Sequence, residues 1–339
     1  MATVTTTAPH LQDSTYCNVL ARQNGLDPGG HAGHFDDAVL VETPLPWRRD
    51  IYQTAGPLPQ ELIDLLALWL ERYRQTGIYN HRPLLIAPDP DYSEPGYRRV
   101  IFYRRPQEPC AHFHKTEYSV PEAKVGPLLW ALFQDREGLA AFEPYRRPEA
   151  ERLRDLLVCT HGTVDVACAK FGYPLYRNLR HEIASPDLRI WRVSHFGGHV
   201  FAPTFLDMPT GHYWAYMDVA ESEAVLGRTG APAALYGHYR GWAGLPTGFA
   251  QAAEREIWQQ EGWQWFDYPK ACTVLEQDTD GASPRWMVIR MDFRRTDGSS
   301  AGYLARVEIS HTVETRPSTR GADAYAYPQY EVSWLKLVT

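Results

Sequence analysis

The sequence predicts an α/β fold in two related halves, followed by a small α+β module at the C-terminus. Three observations support this. Between about residues 35 and 135 the hydrophobic period switches in the order strand, helix, strand, strand, helix. After the charged, proline-containing stretch "EPYRRPEAERLR" the order strand, helix, strands returns. From about residue 241 the pattern changes to one helix and then strands separated by turns. The expected boundaries are 1–145 for an N-terminal α/β domain, 146–240 for a second α/β domain and 241–339 for the terminal module.

The elements follow from local chemistry. "NGLDPGGHAGH" is rich in small and polar residues and reads as a loop around Asp27 to His34. "DDAVLVETPLPW" alternates and then stops at Pro44 and Pro46, as a strand entering a turn does. In "LPQELIDLLALWLERYRQTG", Leu62, Leu65, Leu66, Trp69 and Leu70 recur with a period near 3.6 before a glycine, which predicts an amphipathic helix. Strands are expected at "RPLLIAP" and "RRVIFYRR", with a helix over "PEAKVGPLLWALFQD". In the second half "DLLVCTHG" reads as a buried strand and "DVACAKFGYPLYRNLRHEI" as a helix that Pro174 ends or bends near Tyr173. "LRIWRVSH", "HVFAPTFLDMP" and "GHYWAYMD" read as strands. The module adds a helix over "GFAQAAEREIWQQEG" and strands at "SPRWMVIRMDFRR", "AGYLARVEISHTVE" and "YPQYEVSWLKLV", with turns at "DTDG" and "TDGSS".

A net charge of -7 argues against a polyanion ligand, so no nucleic-acid partner is expected. The first residues lack a charged region followed by an apolar one, and the densest apolar runs, "LIDLLALWL" and "VGPLLWALF", are too short to span a bilayer. These features predict a soluble cytoplasmic protein. Five cysteines, an odd number scattered over 339 residues, predict reduced thiols and no disulfide framework. There is no G-x-G-x-x-G after a strand, no P-loop and no H-E-x-x-H, so neither a nucleotide cofactor nor a common hydrolase signature is indicated.

One constellation carries chemistry. Cys159 ends a strand, and Cys168 follows after a turn in which Asp165 is a plausible N-cap. Cys168 then lies in the first helical turn, where free N–H groups and the helix dipole favour a thiolate. His195 and His199 bracket "FGG", and Gly197 and Gly198 allow a tight turn that lets both imidazoles converge. Two thiolates and two imidazoles suit structural zinc and equally a [2Fe-2S] centre. Zinc-finger spacing is absent. "CTH" supplies the first half of a Rieske pattern, but no cysteine precedes either late histidine, which leaves His161 as a rival ligand or a group supporting the ligands from behind. Cys17 with His31 and His34 reads as a small cysteine beside solvated loop histidines. Cys110 with His112 and His114 reads as surface or packing, and Cys272 as packing.

The stretches "CTHGTVDVACAKFGYPLY" and "HFGGHVFAPTFLDMPTGHYW", with "GHYRGWAGLP" and "VLVETPLPW", resemble the sucrase/ferredoxin-like family of thioredoxin-fold iron–sulfur proteins. The resemblance touches most of residues 17–260. It implies a thioredoxin-like ferredoxin domain and a bis-histidine [2Fe-2S] centre of the fungal type, with Cys159, Cys168, His195 and His199 as ligands and His161, Asp165, Gly197 and Gly198 around them. It also implies a proton-coupled, one-electron carrier between redox partner proteins, with a zinc-stabilised binding module as the alternative. Many bacterial members resemble "CTHGxRDxCC"; this chain has Val164 in place of that Arg and Ala167 in place of the extra Cys. Only Cys168 therefore offers sulfur on that turn, which favours the bis-histidine site.

Overall fold

The computed structural model describes residues 15–53, 56–107, 109–281 and 283–338. The leader-free reading rests largely on residues 1–14, which lie outside the described residues. A short helix α1 (Cys17–Gln23) precedes β1 (Asp37–Glu42), α2 (Gln60–Thr76), β2 (His81–Ile86), β3 (Tyr97–Arg104), β4 (His114–Pro121) and α3 (Val125–Phe133). β1 and β2 are parallel, β3 runs antiparallel to β1, and β4 antiparallel to β3. After one turn of helix α4 (Pro148–Glu151) come β5 (Arg154–Cys159), α5 (Val166–Glu182), β6 (Leu188–Val193), β7 (Phe205–Met208) and β8 (His212–Trp214). The pairings repeat: β5 and β6 are parallel, β7 is antiparallel to β5, and β8 to β7.

Helix α6 (Val219–Gly227), strand β9 (Tyr239–Trp242) and helix α7 (Gly248–Glu261) follow. The nine strands form one mixed sheet in the order β4-β3-β1-β2-β6-β5-β7-β8-β9. The two halves join through a single antiparallel pairing, Ile86 with Val193. A separate antiparallel sheet is built from β10 (Lys270–Gln277), β11 (Trp286–Arg294), β12 (Ser300–Thr315) and β13 (Tyr325–Val338). The chain is thus an α/β protein with one mixed and one antiparallel sheet.

Successive strand residues face opposite sides, and both sides are covered here. Val39 and Val41 of β1 pack with Leu62, Leu65 and Trp69 of α2 in one core. Ala38 and Leu40 pack in another core with Leu157, Trp191 and Leu206 from the second half. Each such side chain, fully buried, contributes about 1.5–3 kcal/mol. β4 and β5 stand five strand spacings apart in the sheet, roughly 24 Å if it were flat. Yet Lys115 of β4 bonds Asp155 of β5, and Tyr103 of β3 donates to Asp155 at 2.5 Å. The sheet therefore folds over at the β2–β6 seam, and the halves face one another across the core that holds Leu157 and Cys159.

One expectation narrows and another changes. Pro174 does not end a helix: α5 runs through it as one element, because the buried Gly172, Leu175 and Leu179 on either side anchor both turns while only one backbone bond is forfeited. The stretch "HVFAPTFLDMP" is extended only from Phe205, since His199–Phe201 forms a 3-10 turn ahead of Pro203.

Candidate metal centre

Cys159 closes β5 on the face shared with Leu157, and it is buried. Helix α5 starts at Val166 with Asp165 as N-cap, whose carboxylate accepts from the Ala167 N–H at 2.9 Å. That cap sets Cys168 three residues on, in the first turn, with no exposed surface. Close approach of α5 to the end of β5 depends on Gly172, since a Cβ there would stand 2.1 Å from the Cys159 carbonyl oxygen.

The histidines come from the turn after β6. Gly197 and Gly198 have φ of 99° and 81°, values that favour glycine, so the chain reverses tightly between His195 and His199. His195 Nδ1 lies 3.8 Å from Cys159 Sγ and 3.7 Å from Cys168 Sγ. The candidate ligand atoms of Cys159, Cys168 and His195 all lie within 4.8 Å of one another. His199 belongs to a neighbouring group with Cys17 and Asp165 that meets the same limit. The His195 and His199 ring centres are 5.2 Å apart, so the two groups adjoin. Three of the four predicted ligands therefore converge directly, and the fourth stands beside them.

The two groups differ chemically. Asp165 Oδ1 accepts from Ala167 N–H and Thr319 Oγ1, and Oδ2 accepts from Thr319 N–H at 2.7 Å. Burial pushes this carboxyl up, but the Thr319 and Ala167 bonds outweigh it and hold the group below its ordinary range. His199 Nδ1 sits 3.7 Å from Asp165 and 3.5 Å from Cys17 Sγ. Burial pushes the Cys17 thiol up to about 12, so it is protonated, and it lowers His199, an effect that His195 reinforces. The hydrogen bonds that Asp165 accepts and the contacts of His199 with Asp165 and Cys17 give His199 a buried frame.

Cys159 and Cys168 are hydrogen-bonded to one another. Hydrogen bonding from Cys168 pulls Cys159 well below the usual thiol range, against the opposing effect of burial and with help from His195; Cys168 rises correspondingly. His161 lies behind them. Its Nδ1 accepts from the His195 N–H at 3.3 Å, and its Nε2 faces the Arg48 carbonyl at 3.3 Å, which together select the neutral Nε2–H tautomer. Burial lowers its pKa, in keeping with that neutral ring.

The other histidines lie elsewhere. His31 is no solvated loop residue: its Nε2 is 3.0 Å from the Pro328 carbonyl, inside an aromatic group with Phe201, Tyr327 and Tyr330. His34 Nδ1 contacts the Ala243 carbonyl at 2.9 Å. His112 faces Asp267 at 3.5 Å, and His114 is exposed at the start of β4. Cys110 and Cys272 join neither group. A cleft of about 700 Å³ lies by His34, Arg105, Cys110, Trp242 and Lys270, away from every candidate ligand.

Cys17 stands beside His199 and Asp165 and not beside His31 and His34 as a pair, and sequence reasoning missed Thr319 and Arg240, whose guanidinium donates to the Gly197 carbonyl at 3.2 Å. Arg240 lies in "GHYRGWAGLP", a stretch that also carries the family resemblance, whereas nothing in the sequence around Thr319 marks it. The chain matches no curated protein and no solved structure. Residues 28–241 match the family described as Sucrase/ferredoxin-like, from the loop ahead of β1 into β9 and across all four predicted ligands. That match spans well over half of the chain, which therefore belongs to the sucrase/ferredoxin-like family.

Proposed function

We propose that this chain carries single electrons on a [2Fe-2S] centre held by Cys159, Cys168, His195 and His199. The observation that carries the reading is the convergence of Cys159, Cys168 and His195, with the His199 ring 5.2 Å from that of His195. Two thiolates with two imidazoles are a donor set such a centre takes. Asp165 is already engaged as the cap of α5 and by Thr319. A centre bound there supplies one-electron redox chemistry.

The residues around it have distinct tasks. The N-terminal turn of α5 would favour the Cys168 sulfur as a thiolate once a bound metal deprotonates it, since without one Cys159 is the more acidic of the pair. His161 fixes the backbone of His195, and Asp165 with Cys17 frames His199. His195 and His199 are only partly buried, so they would form the edge that donor and acceptor proteins approach, and their imidazoles would supply the proton sites that couple to the electron. The order β5-α5-β6 followed by antiparallel β7 and β8 supports a thioredoxin-like reading of this domain, and β1 to β4 support the same reading of the half before it. On this view residues 1–145 and 146–240 are two cytoplasmic α/β units, and 241–339 a module that buttresses the second through Thr319.

The same donors suit tetrahedral zinc, which would make the chain a binding module without a redox role. Metal and sulfide analysis of protein made with ample iron decides between them. We expect a red-brown protein with about two irons and two acid-labile sulfides per chain. A colourless protein with one zinc overturns the reading.

A further inference from the structure

Arg240 lies on β9, and its side chain is 3% exposed. One nitrogen donates to the Gly197 carbonyl and to Thr204 Oγ1, both at 3.2 Å, and another donates to the His31 carbonyl at 2.6 Å. The Phe201 and Tyr213 ring centres are 4.8 and 5.2 Å from the guanidinium carbon. None of these partners is an anion, and among the described residues no carboxylate forms an ion pair with it. Other buried arginines differ: Arg189 meets Asp155 and Glu117, and Arg255 meets Asp27. A buried charge without a counter-charge is costly. Burial lowers Arg240 to about 10, opposed first by Tyr213 and Tyr216, while Arg82 adds a second positive charge nearby. Gly198 leaves the guanidinium its space, since a Cβ there would stand 2.5 Å from it.

We infer that Arg240 is a positioning residue that answers the negative charge of the Cys159–Cys168 centre, steadies the His195–His199 turn through the Gly197 carbonyl, and raises the reduction potential of the bound centre. The inference rests on the iron–sulfur reading above. Two thiolates balance a 2+ core, so the electron taken from the donor leaves the reduced centre with one net negative charge, which a buried and unscreened cation stabilises.

The test compares the wild type with Arg240→Lys, Arg240→Gln and Arg240→Met. Lysine keeps the charge and loses the planar fork, glutamine keeps donors and loses the charge, and methionine loses both. Iron and sulfide content and the thermal unfolding of the metal-free chains are measured first. Midpoint potentials then come from dithionite titration with mediator dyes, followed by visible absorption. We expect Lys close to wild type, and Gln and Met both lower by roughly tenfold in the equilibrium for reduction, about 59 mV for one electron. A Gln variant at the wild-type potential overturns the inference. So does a Lys variant that falls as far as Gln, because geometry would then set the potential. If Met holds no iron, the Lys and Gln pair decides; loss of iron from both also overturns the inference, leaving Arg240 a purely structural part. Wild-type protein without iron and sulfide instead removes the iron–sulfur reading before any variant is compared.

Discussion

Asp165 serves two parts of the chain with one carboxylate. It caps α5 locally, and it binds Thr319 from a loop 154 residues away. The local half of that arrangement is legible in "TVDVAC", because cap chemistry acts over three residues and sets Cys168 in the first turn. The distant half is not, since no periodicity marks Thr319 or Cys17 as neighbours of His199. On the reading proposed above, the four ligands predict sharp outcomes. Cys159→Ser and Cys168→Ser each abolish stable binding of the centre, because a neutral hydroxyl poorly replaces a thiolate on iron. A wild-type visible and EPR spectrum from either variant removes that cysteine from the ligand set. The His161 ring accepts from the His195 backbone, while its own backbone helps to hold the Cys159 thiol down. His161→Ala should therefore retain the centre with a modest change in potential. Loss of the centre in that variant, with His195→Ala still loaded, would exchange the two roles.

Among the elements, those with clear periodicity are legible and the rest fail for identifiable reasons. β4 is only partly legible because both its faces are buried, Tyr118 and Val120 in the apolar core with β1 and α2 and Lys115, Glu117 and Ser119 on the other side. α6 was within reach, since Asp218 and Glu221 form a capping box visible as "DVAE". α1 is too short to show a period. The contact of α5 with β5 sets the sulfur-to-sulfur geometry, and it hangs on Gly172. Alanine there would bring a methyl against the Cys159 carbonyl oxygen, which is backbone and cannot swing aside. We expect Gly172→Ala to cost about 1–3 kcal/mol, the range for overpacking a tight core, and to weaken metal retention by moving Cys168 off Cys159. Urea unfolding and iron content measure both effects. An unchanged midpoint with full iron would show that α5 does not need this close approach.

At the scale of the molecule, the fold-over of the sheet is what brings the two halves together, and it is the part least legible in sequence. The repeated order of strands can be read from patterning, but which faces meet is decided by residues far apart in the chain. The clearest of these is Asp155, fully buried, which accepts from Tyr103 at 2.5 Å, Arg189 at 2.8 Å and Trp191 at 2.7 Å, and pairs with Lys115. Burial alone would push its carboxyl up, yet Lys115 and Arg189 outweigh burial and hold it far below the ordinary range. Its folded pKa is thus depressed, so between the unfolded value of about 3.9 and the folded value the unfolded chain binds more protons. The stability it lends is fully present above about pH 4 and is lost as pH falls toward the folded value. Asp155→Asn keeps the shape but strands Lys115 and Arg189 with less counter-charge, and we expect a loss of about 3–5 kcal/mol at pH 7, as for other buried pairs broken on one side. The same variant should lose the steep fall in stability below pH 4, because the group that must be protonated there is gone. Denaturant unfolding at pH 7 and at steps from pH 5 to pH 3, for both proteins, reads the two effects. An Asn variant as stable as wild type at pH 7, or one with the same slope in acid, would mean that the halves are held together by the apolar core between them and not by this ionic group.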